Sequence, residues 1–158
     1  MSVDPSLDVL LATTARVLEE AAFIFSEPAS PASPPTGSVV EATMTFAVTD
    51  QPGHHGSLML SASPGFGTAL AANLLGVEPD DPDVTARGAE ALCELLNIVA
   101  GCLMEEWFPD APGCRLGIPS ARTVAATEHE ARRAGAPVSG SLLSEDAERI
   151  DCAAFLEG

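Results

Sequence analysis

DVTARGAEALCELLNIVAGCLMEEWF, from Asp83 to Phe108, is the stretch on which the reading of this chain turns. It has no proline and is rich in alanine, leucine and glutamate, which predicts one long helix. Leu92, Leu95, Leu96, Ile98, Val99, Leu103 and Met104 coat much of its circumference with apolar surface. A helix so coated packs its broad side against other elements. A narrow polar stripe interrupts the coat. Glu94 and Asn97 lie three residues apart, so their side chains share a face and can act on one object. Gly101 extends the stripe by one turn. A glycine inside a helix costs about 1 kcal/mol relative to alanine, which points to something that approaches the backbone closely there. Glu/Asn pairs at this spacing are common on solvated helix faces, so the pair alone assigns no function.

Its surroundings are more specific. ELLNIVAG, Glu94 to Gly101, followed by Gly117-Ile118-Pro119-Ser120 in a predicted strand, resembles the E-x-x-N motif of the CheC/CheX/FliY phosphatase family. The resemblance extends over most of the chain. GSLMLSAS (56–63) and the short helix ending near Leu75-Gly76 resemble the strand and helix before the motif. Leu143 to Asp146 and the alternating segment after it resemble the closing strands. The CheX type is the nearer match, because a single E-x-x-N is present. On the first helix, Glu19 and Glu20 are followed three residues on by Ala22 and Phe23.

The family resemblance implies a phosphatase that hydrolyses the aspartyl phosphate of a phosphorylated, CheY-like response regulator. Asn97 would orient the attacking water, and Glu94 would pair with the receiver's active-site lysine. Magnesium would belong to the receiver, with no cofactor bound by this chain, and a homodimer is suggested. Gly101, from its spacing, is expected to admit the partner, with Glu90 and Ile98 also meeting it. Two departures bear on partner choice. Cys102 stands where relatives carry a polar or basic residue, and Ile118-Pro119-Ser120 replaces a Pro-Pro-Thr-like run. Both are expected to flank the reactive pair. A non-catalytic receiver-binding or flagellar-switch module of the same fold is the alternative. A small-ligand sensor would instead bury Asn97.

The residues support a helper role independently. The sequence shows no serine–histidine pairing at the motif, no glycine-rich phosphate loop and no helix with metal-ligand spacing. An exposed Glu/Asn pair cannot by itself cleave much, yet it can complete another protein's active site. An amide both donates and accepts, so it can hold a water. Phosphoryl hydrolysis needs orientation more than covalent help.

Length and composition set the frame. The 158 residues predict a single CheX-like domain over 1–158, with a core large enough to need neither disulfide nor metal. Hydrophobic residues make up 46% of the chain and are spread evenly, which argues against disorder. No apolar run approaches the roughly 20 residues that span a bilayer, and the N-terminus lacks a signal-peptide pattern. A cytoplasmic protein is expected. The net charge is −16 and every basic residue is arginine. Such a surface repels nucleic acid and anionic membranes, favours a partner with a basic rim, and raises solubility.

The four cysteines (Cys93, Cys102, Cys114 and Cys152) form no C-x-x-C pair and read mostly as buried, reduced thiols. His54 and His55 sit in a hairpin turn. His129 lies in a charged, loop-like run, and all three histidines are expected to be exposed.

In chain order, Leu7 to Ser26 predicts a first helix, with Leu7, Leu10, Leu11, Thr14, Val17, Leu18, Ala21, Ala22 and Phe25 on its core side. Pro28 to Gly37 is a proline-rich surface connector. Val39 to Thr49 and Ser57 to Ser63 form a hairpin, the first strand burying Val40, Ala42, Met44, Phe46 and Val48 on one face. Pro64 to Gly76 is a short helix. After the motif helix come a strand within Arg115 to Val124, broken by Pro119, and two more over Ala136 to Leu143 and Arg149 to Leu156. The fold class is α+β: an antiparallel sheet with two long helices packed against it, in two helix-then-strands halves resembling a pseudo-duplication.

Overall fold

A computed structural model describes residues 5–30, 36–51, 53–78 and 80–157. The elements are α1 (Leu7–Ala22), β1 (Ser26–Ala29), β2 (Ser38–Val48), β3 (His55–Ala62), α2 (Pro64–Leu75), α3 (Val84–Trp107), β4 (Cys114–Leu116), β5 (Ser120–Ala125), α4 (Ala126–Ala134), β6 (Val138–Ser144) and β7 (Arg149–Glu157). The strands form one seven-stranded sheet in the order β1-β6-β7-β3-β2-β4, with β5 also paired to β2. Every pairing is antiparallel. The α+β reading with two long helices on an antiparallel sheet is therefore correct.

Local chemistry fixes several helix ends. Ser6 caps α1 by accepting from the Val9 N–H at 3.2 Å. Ser63 caps α2 in the same way, Pro64 occupies its first turn, and Gly76 ends it in the left-handed region at φ 68°. The first helix stops four residues earlier than predicted. Phe23 takes the left-handed conformation at φ 58°, and Ser26–Ala29 becomes an edge strand on β6. Phe25, expected in the core, is exposed there. The predicted connector thus contributes Pro28 and Ala29 to a strand, while residues 31–35 lie outside the described residues.

Ala42, Met44, Phe46 and Val48 of β2, Leu58 and Leu60 of β3, Leu142 of β6, and Ile150 and Cys152 of β7 turn to one face. They meet Leu10, Val17 and Leu18 of α1 and the apolar side of α3 there. The long helices divide the sheet between them. α3 lies over β2, β3 and β5, whereas α1 lies over β1, β6 and β7. The two halves of the chain are thus interleaved, since α1 covers strands from the C-terminal half. α2 packs against α3 through two facing glycines. A Cβ on Gly88 would lie 2.9 Å from the backbone carbon of Gly67, so the helices touch backbone to backbone.

The opposite face of the sheet carries α4, in the charged run read as loop-like. His129, expected to be exposed, is completely buried. Its Nδ1 lies 2.6 Å from Glu41 Oε2 on β2, and its Nε2 lies 2.8 Å from Asp151 Oδ2 on β7. Ser61 Oγ of β3 is 2.9 Å from the same Nε2. Arg149 Nε donates to Asp151 Oδ1 at 2.7 Å, the Ser141 hydroxyl donates to it at 2.6 Å, and Arg132 reaches Glu41 at 3.2 Å. Glu41 is accordingly buried on the face of β2 that alternation alone assigns to solvent. Burial alone would lower the His129 pKa, but hydrogen bonds to Asp151 and Glu41, and their charges, raise it above its ordinary value. Burial would likewise raise Asp151, yet hydrogen bonds from His129, Arg149 and Ser141 hold it at about 2.

Two predictions follow from this packing. Gly88→Ala is expected to destabilise the fold by about 1–3 kcal/mol in urea unfolding, because the added methyl meets backbone. A stability equal to or above that of the wild type would contradict the backbone contact. His129→Ala is expected to cost about 3 kcal/mol near pH 6, since it strips a cation from two buried carboxylates. The His129 contribution is complete below its unfolded pKa of about 6.5 and is lost as pH rises through the higher folded value. The gap between wild type and variant should therefore narrow as pH rises through that folded value. Urea melts at several pH values check this, and a constant gap would refute the charged-histidine account.

Candidate functional site

Glu90, Glu94, Asn97, Gly101 and Glu105 recur every three or four residues and form one line along α3. Glu90, Glu94, Asn97 and Glu105 are exposed and Gly101 is half-buried. On the other sides of the helix, Ala91, Leu92, Leu95, Leu96, Val99, Ala100 and Leu103 are each at most 1% exposed. The motif side chains thus project from the open side of a helix whose opposite side is anchored in the core. Among the described residues, neither Glu94 nor Asn97 has a hydrogen bond or ion pair within the chain. Exposure of Asn97 excludes the arrangement expected of a buried ligand-sensing residue.

The other expected partner-binding positions differ among themselves. Glu90 already meets Arg87, whose Nε donates to Glu90 Oε2 at 2.6 Å. That pair is exposed and weak, on the order of 0–1 kcal/mol, so a partner can replace it. Ile98 is half-buried and packs on the core, leaving only part of its side chain available. Gly101 is open: a Cβ placed there meets nothing within 4 Å. Beyond Gly101 the line leads into a groove of about 360 Å³ bordered by Met104, Glu105, Phe108, Cys114 and Leu116. No sequence signal marked this groove, because β4 is brought beside the end of α3 only by pairing with β2.

The departures at 118–120 do not flank the pair. Ile118, 93% exposed, stands with Thr43, Thr45, Ser57 and Phe155. These alternate with core residues and so occupy the sheet face turned away from α3. Pro119 cannot donate to the β2 ladder, which breaks there between β4 and β5. Cys102 does adjoin the site, half-buried beside Gly101. Cys93 and Cys114 are also half-buried, and burial pushes the Cys152 thiol up to about 12, so it is inert at neutral pH.

A second polar cluster lies on α4 and β7. His129, Glu130 and Asp151 each place one ligand atom within 4.8 Å of the others. Both His129 nitrogens are already held by carboxylates, however, and Glu130 is paired with Arg149 at 2.6 Å and Arg133 at 3.5 Å. Three cations in that volume oppose a fourth, and the donor set fits a structural ion-pair network better than a metal site.

An unpartnered carboxylate and amide on a rigid exposed helix can hold a water and a cation on another molecule. Among the described residues, no serine–histidine or cysteine–histidine pair accompanies them. No helix among the described residues is long and apolar enough to cross a membrane.

No family model matches this chain, and no curated protein matches its sequence. Solved structures do match. The CheX–CheY–BeF3–Mg²⁺ complex from Borrelia burgdorferi aligns with a TM-score of 0.69 at 16% identity, covering 99% of each chain. A CheC-like superfamily protein from Shewanella sp. PV-4 aligns at 0.67 and 16%, covering 100% of each. The chemotaxis protein CheX from Vibrio vulnificus aligns at 0.65 and 15%, over 93% of this chain and 94% of that one. At such identities the likeness speaks for architecture, and over nearly its whole length this chain has the fold of CheX and CheC-like chemotaxis proteins.

Proposed function

We propose that this protein is a CheX-like phosphatase of receiver-domain aspartyl phosphate. The observation that carries the reading is the Glu94/Asn97 pair, unpartnered among the described residues and exposed on a helix whose opposite side is buried. Likeness in fold to the CheX of a CheX–CheY–BeF3–Mg²⁺ complex supports a CheY-like receiver as partner. The −16 charge supports a partner surface with basic character.

In this reading α3 docks on the phosphorylated receiver and the Asn97 amide enters its active site. The amide oxygen accepts from a water while its N–H₂ holds the adjacent phosphoryl oxygen, which aligns the water with phosphorus. The water oxygen attacks phosphorus and the bond to the aspartyl oxygen breaks. Inorganic phosphate and a free carboxylate result, with the water's proton passing to phosphate or solvent. Glu94 pairs with a receiver lysine and fixes the register of the helix. The magnesium ion belongs to the receiver. The rigid seat of α3 matters because a misplacement of about 1 Å can cost on the order of 100-fold in rate.

The test follows acyl-phosphate decay on receiver domains of the same genome, with wild type and Asn97→Ala. Wild type should accelerate decay. Asn97→Ala should lose about 100-fold or more of that acceleration while still binding the receiver. Acceleration by both proteins equally would remove Asn97 from the chemistry. Binding without acceleration by the wild type would favour a docking or flagellar-switch module over an enzyme.

A further inference from the structure

We propose that the groove between the end of α3 and β4 is a specificity pocket that takes an apolar side chain of the receiver, with a neighbouring basic residue set against Glu105. The proposal rests on the receiver reading above and adds where discrimination among receivers is made.

Gly101 is the first argument. The two glycines of α3 differ in their surroundings. Gly88 is explained within the chain, because a Cβ would lie 2.9 Å from Gly67 backbone. At Gly101 a Cβ would meet nothing within 4 Å, so no internal packing calls for glycine there. A residue that weakens a helix and opens a notch with no internal occupant fits an external one.

The walls are the second argument. The notch opens one turn beyond Asn97 and continues into about 360 Å³ of space between Met104, Phe108 and Leu116. That volume falls at the lower end of the roughly 300–1,000 Å³ of pockets that accept ligands. Phe108 is held from behind: His54 meets it edge-on at 5.2 Å between centroids and Phe46 lies at 6.3 Å. A wall fixed in advance lowers the ordering cost of binding.

Charge is the third. Glu105 is exposed on the rim and, among the described residues, has no ion-pair partner. With Glu94 it makes this edge of the helix acidic. A second copy of the chain docked here in parallel fashion would set acid against acid, whereas a receiver surface with lysine or arginine beside an apolar side chain is complementary.

Ala111→Trp and Glu105→Arg test this. Ala111 borders the groove away from the motif line, and tryptophan would fill it. The readouts are kcat and KM for acyl-phosphate decay, affinity for the beryllofluoride-loaded receiver, and oligomeric state by sedimentation. Ala111→Trp should raise KM and Kd tenfold or more with kcat changed less than twofold. Glu105→Arg, at a solvated position that does not threaten folding, should raise KM several-fold at low salt, with the difference shrinking as salt rises. Wild-type acceleration with KM unmoved in both variants would overturn the pocket and leave the phosphatase reading standing. A change in sedimentation with KM unmoved would assign the groove to a second copy and also overturn it. If the wild type neither binds nor dephosphorylates any receiver, both readings fall together.

Discussion

The seat of α3 is the constraint on which the rest depends. Three sets of neighbours close on it: β2, β3 and β5 of the sheet below, and α1 and α2 on its flanks. Burial of a Leu-sized side chain stabilises by about 1.5–3 kcal/mol, and Leu92, Leu95, Leu96 and Leu103 are all at 0–1% exposure. Rotating the helix to hide Glu94 and Asn97 would withdraw those leucines and desolvate a carboxylate. Both terms oppose it, so the polar line is fixed toward solvent. The glycine contact between Gly67 and Gly88 brings α2 close enough to complete that enclosure.

The reverse face of the sheet is held by different physics. Apolar packing there is thin, since α4 carries Glu128, Glu130, Arg132 and Arg133 along with His129. What fastens it is a network of buried charge that ties β2, β3, β6 and β7 to one imidazole. Burying an unpaired carboxylate is expensive. Glu41 and Asp151 are tolerated because protonated His129 stands between them and arginines reach their remaining oxygens. The cluster and the E-x-x-N line thus lie on opposite sides of the sheet. One holds the scaffold, and in the other Glu94 and Asn97 have no internal partner among the described residues.

Site and groove come from different kinds of sequence information. Glu94, Asn97 and Gly101 belong to a single helix, so their alignment is a consequence of the 3.6-residue repeat and could be read directly. Met104 and Phe108 follow the same repeat, but Leu116 and Cys114 join them only through the pairing of β4 with the far end of β2. Ile118 and Ser120 illustrate the converse. Near the motif in sequence logic, they sit across the sheet from it, because a strand alternates its side chains between two faces.

The sequence by itself determined what depends on short-range periodicity and chemistry. That covers the long helix and its polar line, Pro64 and Gly76 as the start and stop of the short helix, the β2–β3 hairpin, the break at Pro119 and the α+β class. Only the tertiary structure decided the rest. Whether Glu41 is wet or buried depends on a helix whose His129 lies 88 residues further along the chain. A charged run such as Ala126 to Ala134 carries no apolar stripe, so its reason to be helical and docked lies in carboxylates supplied by distant strands. The end of α1 was decided likewise, because Ser26–Ala29 gains a ladder on β6 that a continued helix would forgo. Local sequence fixes local backbone preference, but the burial of charge and the borders of a groove belong to pairs of residues that the chain brings together only when the sheet closes.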